Sequence, residues 1–298
     1  MHVCKGSTKV LVSKVVANSV LSKRWEPLWR SVPTLDLEEH SYLKLSYFHL
    51  DQPLKRLRHC VRSSRYSPAD VKAWLADAAA MHFAELLCGC PNLEDLNAEN
   101  LGCIYDEHGD EFYDDMEGIQ ARFKTLPKLV RAHIHKPDAV VPLEVVNNVE
   151  FMSIDWIRCV YLQYYMPEFH NLTHIEFGYL DLERASERLK LLKHCPKLQI
   201  LVIDKKDLGL HANEGADWSY PQSIPTCVSL HLKTCRLTNY VGSKGEFQFA
   251  RYIMQNASHL QTMTICTNTS SNEGEKLEMI ENLSSCTRCS ATCKLLFK

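Results

Sequence analysis

A short apolar cassette recurs seven times along this chain, with one apolar residue followed at the third and fifth positions by two more. The cassettes begin at Leu93, Leu129, Val149, Leu172, Leu198, Cys227 and Leu260. Their starts lie 36, 20, 23, 26, 29 and 33 residues apart, so a similar unit returns at a nearly regular interval. Because a unit of this size can bury its apolar face only against its neighbours, the pattern predicts a stack of repeats.

The residues before the cassettes favour repeats over an ordinary α/β domain, which also separates apolar triplets by about 25 to 30 residues. Pro91, Pro127 and Pro196 each stand two residues before a cassette, where proline ends a returning segment and leaves the chain extended. The sixth cassette continues through Cys235 and Leu237, which completes a leucine-rich-repeat pattern. We therefore predict an α/β leucine-rich-repeat solenoid with short parallel strands on its concave face.

Composition narrows the range of partners. The chain has 298 residues, of which 45% are apolar and 23% charged, and its formal net charge is −2. That charge argues against nucleic acid, whose binding proteins carry a basic stripe. The apolar stretch of the first 25 residues is broken by five basic residues and resembles neither a signal peptide nor a membrane span. We expect an intracellular protein of the cytoplasm, the nucleus or both, with no membrane partner.

The cysteines predict reduced thiols and no bound metal. An odd total of 13 in a chain without a secretory signal argues against a disulfide framework. The tightest cluster is Cys286, Cys289 and Cys293, and zinc there would need a fourth ligand such as Cys266 or His259. Since no second C-x-x-C pair accompanies Cys286 and Cys289, we interpret these residues as thiols shielded under a terminal repeat. No cofactor is expected.

An acidic segment at 105–118 accounts for the longest interval between cassettes. As a calcium loop it would place Asp106 at position 1, Asp110 at position 5 and Glu117 at position 12. Glu111 then occupies the position where the sharp turn needs glycine. A solvated acidic insertion is therefore the preferred interpretation.

The sequence contains no motif of a catalytic site. It lacks the G-x-S-x-G elbow, the G-x-x-x-x-G-K-[ST] phosphate loop, the G-x-G-x-x-G fingerprint and the H-E-x-x-H zinc motif. Because activity depends on a site rather than on a fold, we expect a binding protein and no enzyme.

Two segments of the chain carry motifs beyond the repeats. Ser19 to Trp25, Leu28, Trp29 and the extended exit from Val32 to Leu37 resemble the closing part of a plant F-box. The Leu-Pro helix that opens the family's F-box has no match in the first eight residues, so we expect a truncated F-box, its second half only. A helix that caps the first repeat would use the same apolar residues.

The C-terminal third is similar to the FBD region that follows leucine-rich repeats in such proteins. The matching residues are Trp218, Pro221, Pro225, Cys227, Leu232, Lys233, Tyr240, Gly242, Glu246, Phe249, Ala250, Tyr252, Ile253, Asn256, Ala257, Leu260 and Met263. The chain thus resembles the plant F-box/FBD/leucine-rich-repeat proteins, also called the FBD-associated F-box family. We expect a partial F-box at 1–40, a linker with a degenerate first repeat at 41–85, repeats at 86–215 and an FBD region that continues the repeats at 216–298.

This resemblance implies a non-catalytic receptor of a ubiquitin ligase. In the family, the F-box binds a Skp-type adaptor and through it a cullin, and the repeats select the protein to be ubiquitinated. The residues implied for adaptor binding are Val20, Leu21, Trp25, Leu28 and Trp29. The alternative is a repeat-only interaction module that cannot recruit the ligase because its F-box is incomplete.

Strand alternation supplies the candidate substrate face, because successive residues of a strand point to opposite sides. The candidates are the polar residues beside the apolar cassette positions: Glu94, Asn97, His133, His135, Asp155, His174, Glu176, Gln199, His231 and Lys233. Their mixed charge leaves the substrate protein unidentified.

Overall fold

A computed structural model describes residues 34–38, 54–60, 87, 90–99, 125–135, 143–155, 166–178, 189–204, 223–268 and 272–298. The chain divides into two compact units, Met1–Val149 and Glu150–Lys298, which we describe separately.

The described residues of the first unit include four parallel strands of a sheet. They are β1 (Thr34–Glu38), β2 (Arg56–Cys60), β3 (Asp95–Glu99) and β4 (Arg131–His135). Each strand pairs in parallel with the next one along the chain, without a shift in register. The register aligns Leu57, Leu96 and Ala132, so equivalent cassette positions lie side by side.

The second unit repeats the arrangement with six strands. They are β5 (Phe151–Ile154), β6 (His174–Gly178), β7 (Ile200–Asp204), β8 (Thr234–Tyr240), β9 (Thr262–Thr267) and β10 (Lys294–Phe297). All neighbouring pairs are parallel, and a register irregularity occurs only late in β8, between Leu237 and Tyr240. The predicted α/β class and the leucine-rich-repeat arrangement of parallel strands are confirmed.

Helical segments connect several of these strands. The described α-helices are α1 (Thr226–Leu230), α2 (Lys244–Asn256) and α3 (Glu273–Ser284), and 3-10 helices occupy Leu143–Val146 and Leu189–His194. No helix in the described part of the chain is both long enough and apolar enough to cross a membrane.

A tight turn precedes the strands at the places where the sequence has proline. The backbone N–H of Leu93 donates to the carbonyl of Cys90 at 3.1 Å, and that of Leu198 donates to the carbonyl of Cys195 at 3.2 Å. Pro91 lies inside the first of these turns. The first cassette residue therefore closes the turn and is buried by it, which explains why the cassette and the proline keep a fixed spacing.

Six of the seven cassettes form the core as predicted. All three apolar residues of the cassettes that begin at Leu93, Leu129, Val149, Leu172, Leu198 and Leu260 are buried. Each strand contributes the second and third cassette residues, which share one face because they are two positions apart. Burial of a full apolar side chain contributes roughly 1.5 to 3 kcal/mol, so these buried cassette residues provide most of the driving force for stacking of the repeats.

The sixth cassette was assigned to the wrong residues. Leu230 is 51% exposed, whereas Leu232, Cys235 and Leu237 are at most 2% exposed, with β8 beginning at Thr234. Cys227 belongs instead to α1, where it is buried. A helix also brings residues three apart to similar directions, so an apolar pair at this spacing does not by itself distinguish helix from strand.

Strand β2 lies within 41–85, the range in which a linker and a degenerate first repeat were expected. Leu54 is buried just before β2 and Leu57 is buried within it, but the sequence has His59 where the third apolar residue would stand. The register pairs His59 with Ala98, which confirms that the histidine occupies the equivalent strand position.

The turn between β8 and α2 is fixed by one buried carboxylate. Glu246 accepts hydrogen bonds at Oε2 from the backbone N–H of Ser243 at 2.9 Å and of Val241 at 3.2 Å. The Ser243 hydroxyl accepts in return from the Glu246 N–H, which completes a capping box. Gly242 has φ of +77°, and a Cβ there would contact Met279 of α3, so only glycine fits without strain.

We predict that Leu232→Ala lowers the free energy of unfolding by about 2 to 5 kcal/mol, the usual cost of a cavity in a core. The matched change Leu230→Ala should alter it by no more than about 0.5 kcal/mol, because that side chain is half in solvent. Urea unfolding of both variants measures the difference. Equal losses would contradict the corrected position of the sixth cassette.

Buried thiols predict a loss of stability in alkali. Burial raises the pKa of Cys90 from 9.0 to about 11 and that of Cys227 to about 12. Below pH 9 these thiols are protonated in both states, and above it only the unfolded chain ionises readily. The free energy of unfolding should therefore fall as the pH rises through about 9 to 11.

Cys90→Ala should reduce this pH dependence, whereas Cys289→Ala should leave it unchanged because Cys289 is exposed. Urea unfolding across this pH range measures the slope in each variant. A steeper slope in Cys90→Ala than in the native sequence would contradict the assignment.

Candidate binding face of the repeat strands

The strand residues that alternate with the buried positions form rows across each sheet. We call the residue that begins each strand the first row and the residue two positions later the second row. In the first unit, the first row contains Arg56, Asp95 and Arg131, and the second row contains Arg58, Asn97 and His133. In the second unit, the first row contains Phe151, His174, Ile200, Thr234, Thr262 and Lys294, and the second row contains Ser153, Glu176, Val202, Arg236, Thr264 and Leu296.

Cross-strand ion pairs occupy the face of the first unit. Arg131 donates from Nε and Nη2 to one carboxylate oxygen of Asp95, at 3.2 and 3.1 Å. Arg56 lies 3.8 Å from the same oxygen, and Arg58 lies 3.5 Å from Glu99. Directly opposed charges on neighbouring strands stabilise the pairing, so these arginines are already engaged within the sheet.

Imidazole and amide groups lie beside these ion pairs. The rings of His133 and His135 are 6.2 Å apart, and both residues are partly exposed. Asn97 lies between Arg58 and His133 in the second row, with its Oδ1 atom buried and without a hydrogen-bond partner. Buried polar atoms are usually hydrogen-bonded, so this amide oxygen can still accept a hydrogen bond.

A histidine with two neighbours begins the face of the second unit. The edge of the His174 ring meets Phe151 with the ring centroids 4.7 Å apart. The Nε2 atom of His174 lies 3.3 Å from a carboxylate oxygen of Glu176. Burial lowers the pKa of His174, and the Glu176 carboxylate opposes that shift without reversing it. This histidine is therefore predominantly neutral at pH 7.

Farther along the second unit, the face changes to aliphatic residues, threonines and cations. Ile200 and Val202 of β7 are partly exposed, and Arg236 of β8 and Lys294 of β10 are exposed. Asp204 ends β7 and accepts hydrogen bonds from Thr238 and Asn239 at 2.6 and 2.7 Å.

The structure places five of the predicted face residues on strands, among the side chains that alternate with the core. These five are Asn97, His133, His135, His174 and Glu176, and all are partly exposed.

Three predicted residues lie one position before a strand and outside the rows. They are Glu94, Gln199 and Lys233. Lys55 donates a hydrogen bond to Glu94 at 2.9 Å, and this bond lowers the pKa of the Glu94 carboxyl. Lys233 donates to Gln199 at 2.8 Å. The prediction assumed that side chains alternate between core and face from the first cassette residue onward. In the structure this alternation begins only with the first residue of the strand.

Two predicted residues lie elsewhere. Asp155 is only 5% exposed, and its carboxylate occupies the space in which a Cβ at Gly178 would stand. His231 is exposed but is the C-cap that follows helix α1 and lies on no strand. Their assignment to an exposed strand face was wrong, because Asp155 follows the last residue of β5 and His231 belonged to the misplaced sixth cassette.

Because strand boundaries were misplaced, the prediction also omitted several face residues. The position of β8 puts Thr234 and Arg236 on the face, and β2 adds Arg56 and Arg58. Arg236 lies between Cys235 and Leu237, so its placement follows once those two residues are taken as the core pair. The ending of the chain adds Lys294 and Leu296.

The implied adaptor-binding residues lie outside the described residues: Val20, Leu21, Trp25, Leu28 and Trp29. Their role remains an expectation from the resemblance. Within the described ranges, no group of three or more His, Cys, Asp or Glu residues is placed to hold a metal ion.

Comparison with known proteins agrees with the fold. The family model described as FBD matches residues 220–265, which hold α1, β8, α2 and the start of β9. A putative FBD-associated F-box protein of Arabidopsis thaliana is 23% identical over an alignment that covers 96% of this chain and 90% of the relative.

Two F-box/FBD/LRR-repeat proteins of Arabidopsis thaliana are also similar. One is 28% identical over 71% of this chain and 59% of its own length. The other is 22% identical over 95% of this chain and 89% of its own length. The resemblance to plant F-box/FBD/leucine-rich-repeat proteins is therefore confirmed over most of the chain.

The packing of Asp155 against Gly178 leaves no space for a methyl group at position 178. Gly178→Ala should lower the free energy of unfolding by about 1 to 3 kcal/mol, because the added methyl group displaces a buried carboxylate. In an Asp155→Ala background the same change should cost at least about 1 kcal/mol less. A double-mutant cycle by urea unfolding measures this coupling, and strictly additive losses would contradict the contact.

Proposed function

We propose that this chain is the substrate-recognition subunit of a Skp-cullin-F-box ubiquitin ligase, as its similarity to F-box/FBD/LRR-repeat proteins suggests. The repeat face would bind a target protein, and the segment that resembles an F-box would bind the adaptor. The observation that carries this proposal is similarity along most of the chain to proteins named for both an F-box and repeats. The names of these relatives favour an adaptor role over an enzymatic one for this chain.

The strand rows support the substrate-binding half of the proposal. Their side chains are not needed to fill the core, which the cassette residues fill. Neighbouring strands lie about 4.8 Å apart, so a row presents closely spaced side chains to one partner. Such a face can recognise a folded surface or an extended segment without any movement of the backbone.

The mechanism would be proximity rather than chemistry on this chain. A receptor that holds a target next to a charged ubiquitin carrier raises the effective concentration of the target's lysines. The rate would then depend on how long the target stays bound and on where its lysines lie. The receptor itself needs no nucleophile, base or metal for this role.

The proposal includes a cellular location in the cytoplasm, the nucleus or both. Buried free cysteines at repeat positions suit a reducing compartment, since each acts there as a small apolar residue. Cys195 and Cys235 are such residues, and burial raises the pKa of both thiols.

Trp25→Ala tests the adaptor-binding half. If Trp25 contacts a Skp-type adaptor, the change should weaken adaptor binding by about 30-fold or more, as expected for a tryptophan at the centre of an interface. The free energy of unfolding should change little. Calorimetric titration with purified adaptor, and urea unfolding of the same samples, measure the two quantities.

The opposite pattern would support the repeat-only alternative. Unchanged adaptor binding with a loss of about 3 to 5 kcal/mol in stability would show that Trp25 caps the repeats. A chain that carries a complete F-box helix at its N-terminus serves as the positive control. Binding by that control alone would establish that this chain does not recruit the ligase by itself.

A further inference from the structure

Four consecutive strands of the second unit present a surface that the proposed role does not yet specify. We define the C-terminal face as the first-row and second-row residues of β7 to β10: Ile200, Val202, Thr234, Arg236, Thr262, Thr264, Lys294 and Leu296. The register places them side by side on neighbouring strands. Those of β7 to β9 alternate with buried residues, whereas Lys294 and Leu296 alternate with residues of β10 that are partly exposed.

Apolar side chains lie at both ends of this face. Ile200 and Val202 are partly exposed on β7, and Leu296 is 41% exposed on β10. The threonines of β9 between them are short, and Thr264 is buried. A partner backbone can approach such a floor closely and place apolar side chains against either end.

The charged groups of the C-terminal face are both positive. Arg236 and Lys294 are exposed, and the side chain of neither makes an ion pair or hydrogen bond with another described residue. Asp204 is the carboxylate at the end of β7, and it already accepts hydrogen bonds from Thr238 and Asn239. Glu176 on β6 lies 3.3 Å from the Nε2 atom of His174 and outside the C-terminal face.

The first unit shows the contrast. There the first-row residue of β4 is Arg131, which donates two hydrogen bonds to Asp95 on the neighbouring strand. Arg236 has Val202 and Thr264 beside it instead, so its charge is available to a ligand. An exposed guanidinium binds a carboxylate through paired hydrogen bonds.

We propose that the C-terminal face binds an extended acidic segment of the protein that the receptor selects. This inference rests on the proposed function, because it names the chemistry of the substrate. Arg236 and Lys294 lie two strands and one row apart, roughly 10 Å across the sheet and about 7 Å along it. The straight separation of the two positions is therefore about 12 Å, and acidic residues four positions apart on one side of an extended segment lie about 13 Å apart, so two of them reach both cations.

Nucleic acid fits this face less well. Single strands bind through aromatic platforms on which bases stack, and the residues of the C-terminal face include no aromatic side chain. Aliphatic side chains on β7 and β10, together with cations on β8 and β10, suit a polypeptide that carries both acidic and apolar residues.

A matched peptide set tests the proposal on the full chain. The peptides share their aliphatic residues and carry Glu, Gln or Lys at the remaining positions, and binding is followed by fluorescence anisotropy. The Glu peptide should bind at least about tenfold more tightly than the Gln peptide, and the Lys peptide should not bind. Added salt should weaken binding of the Glu peptide, because exposed charges are screened.

Charge reversal locates the binding surface. Arg236→Glu and Lys294→Glu should each weaken binding of the Glu peptide by about tenfold. Arg251→Glu is the matched control, because it makes the same charge change at an exposed position on helix α2 and should leave binding unchanged. Thermal unfolding confirms that each variant is folded, and the milder Arg236→Gln replaces Arg236→Glu if the latter is not.

The outcomes separate this inference from the function on which it rests. Equal affinity for the three peptides, or equal losses in Arg236→Glu and Arg251→Glu, would overturn the acidic-segment proposal. Tighter binding of single-stranded RNA than of the Glu peptide would overturn it as well. Adaptor binding, measured on the same samples, tests ligase recruitment, so loss of one activity with retention of the other shows which proposal fails.

Discussion

One backbone connection sets the register on which the other features of both units depend. The carbonyl of the residue just before a strand accepts two N–H groups from the start of the next strand. Lys55 accepts from Glu94 at 2.8 Å and Asp95 at 3.0 Å, and Gln199 accepts from Lys233 at 2.8 Å and Thr234 at 3.0 Å. Because this link recurs at the entry of successive strands, equivalent side chains lie side by side. A shift by one residue would exchange core and face along the entire strand.

The sequence predicted those parts of the fold in which local chemistry and burial agree. A cassette such as Leu172, Ile175 and Phe177 is recognisable because a tight turn and two inward strand positions fix its spacing. Prediction failed where one position broke the pattern or another element imitated it. His59 interrupted the apolar series at β2, and helix α1 supplied an apolar spacing of three just before β8.

The face was less predictable than the core for a physical reason. Exposure depends on where the strand begins and ends, which the cassette does not specify to the residue. Glu94 lies two positions before a core residue of β3 but is outside the strand. Asp155 follows the last residue of β5, and its carboxylate fills the space beside Gly178 in which a Cβ would stand. Arg236 became recognisable as a face residue only once β8 had been placed. Core positions follow from the spacing of apolar residues, whereas face positions also require the residue at which each strand begins and ends.

The two units use the same strand rows in different ways. In the first, Arg131 and Asp95 bind one another, so a partner that contacts them must replace hydrogen bonds that already exist. In the second, Arg236 lies between Val202 and Thr264, neither of which can neutralise it. Binding a carboxylate there removes one exposed charge without breaking an internal bond, so more of the interaction appears as affinity. Neither arrangement involves the buried cassette residues. Substitutions on the face can therefore change the binding partner while the stack of repeats stays folded.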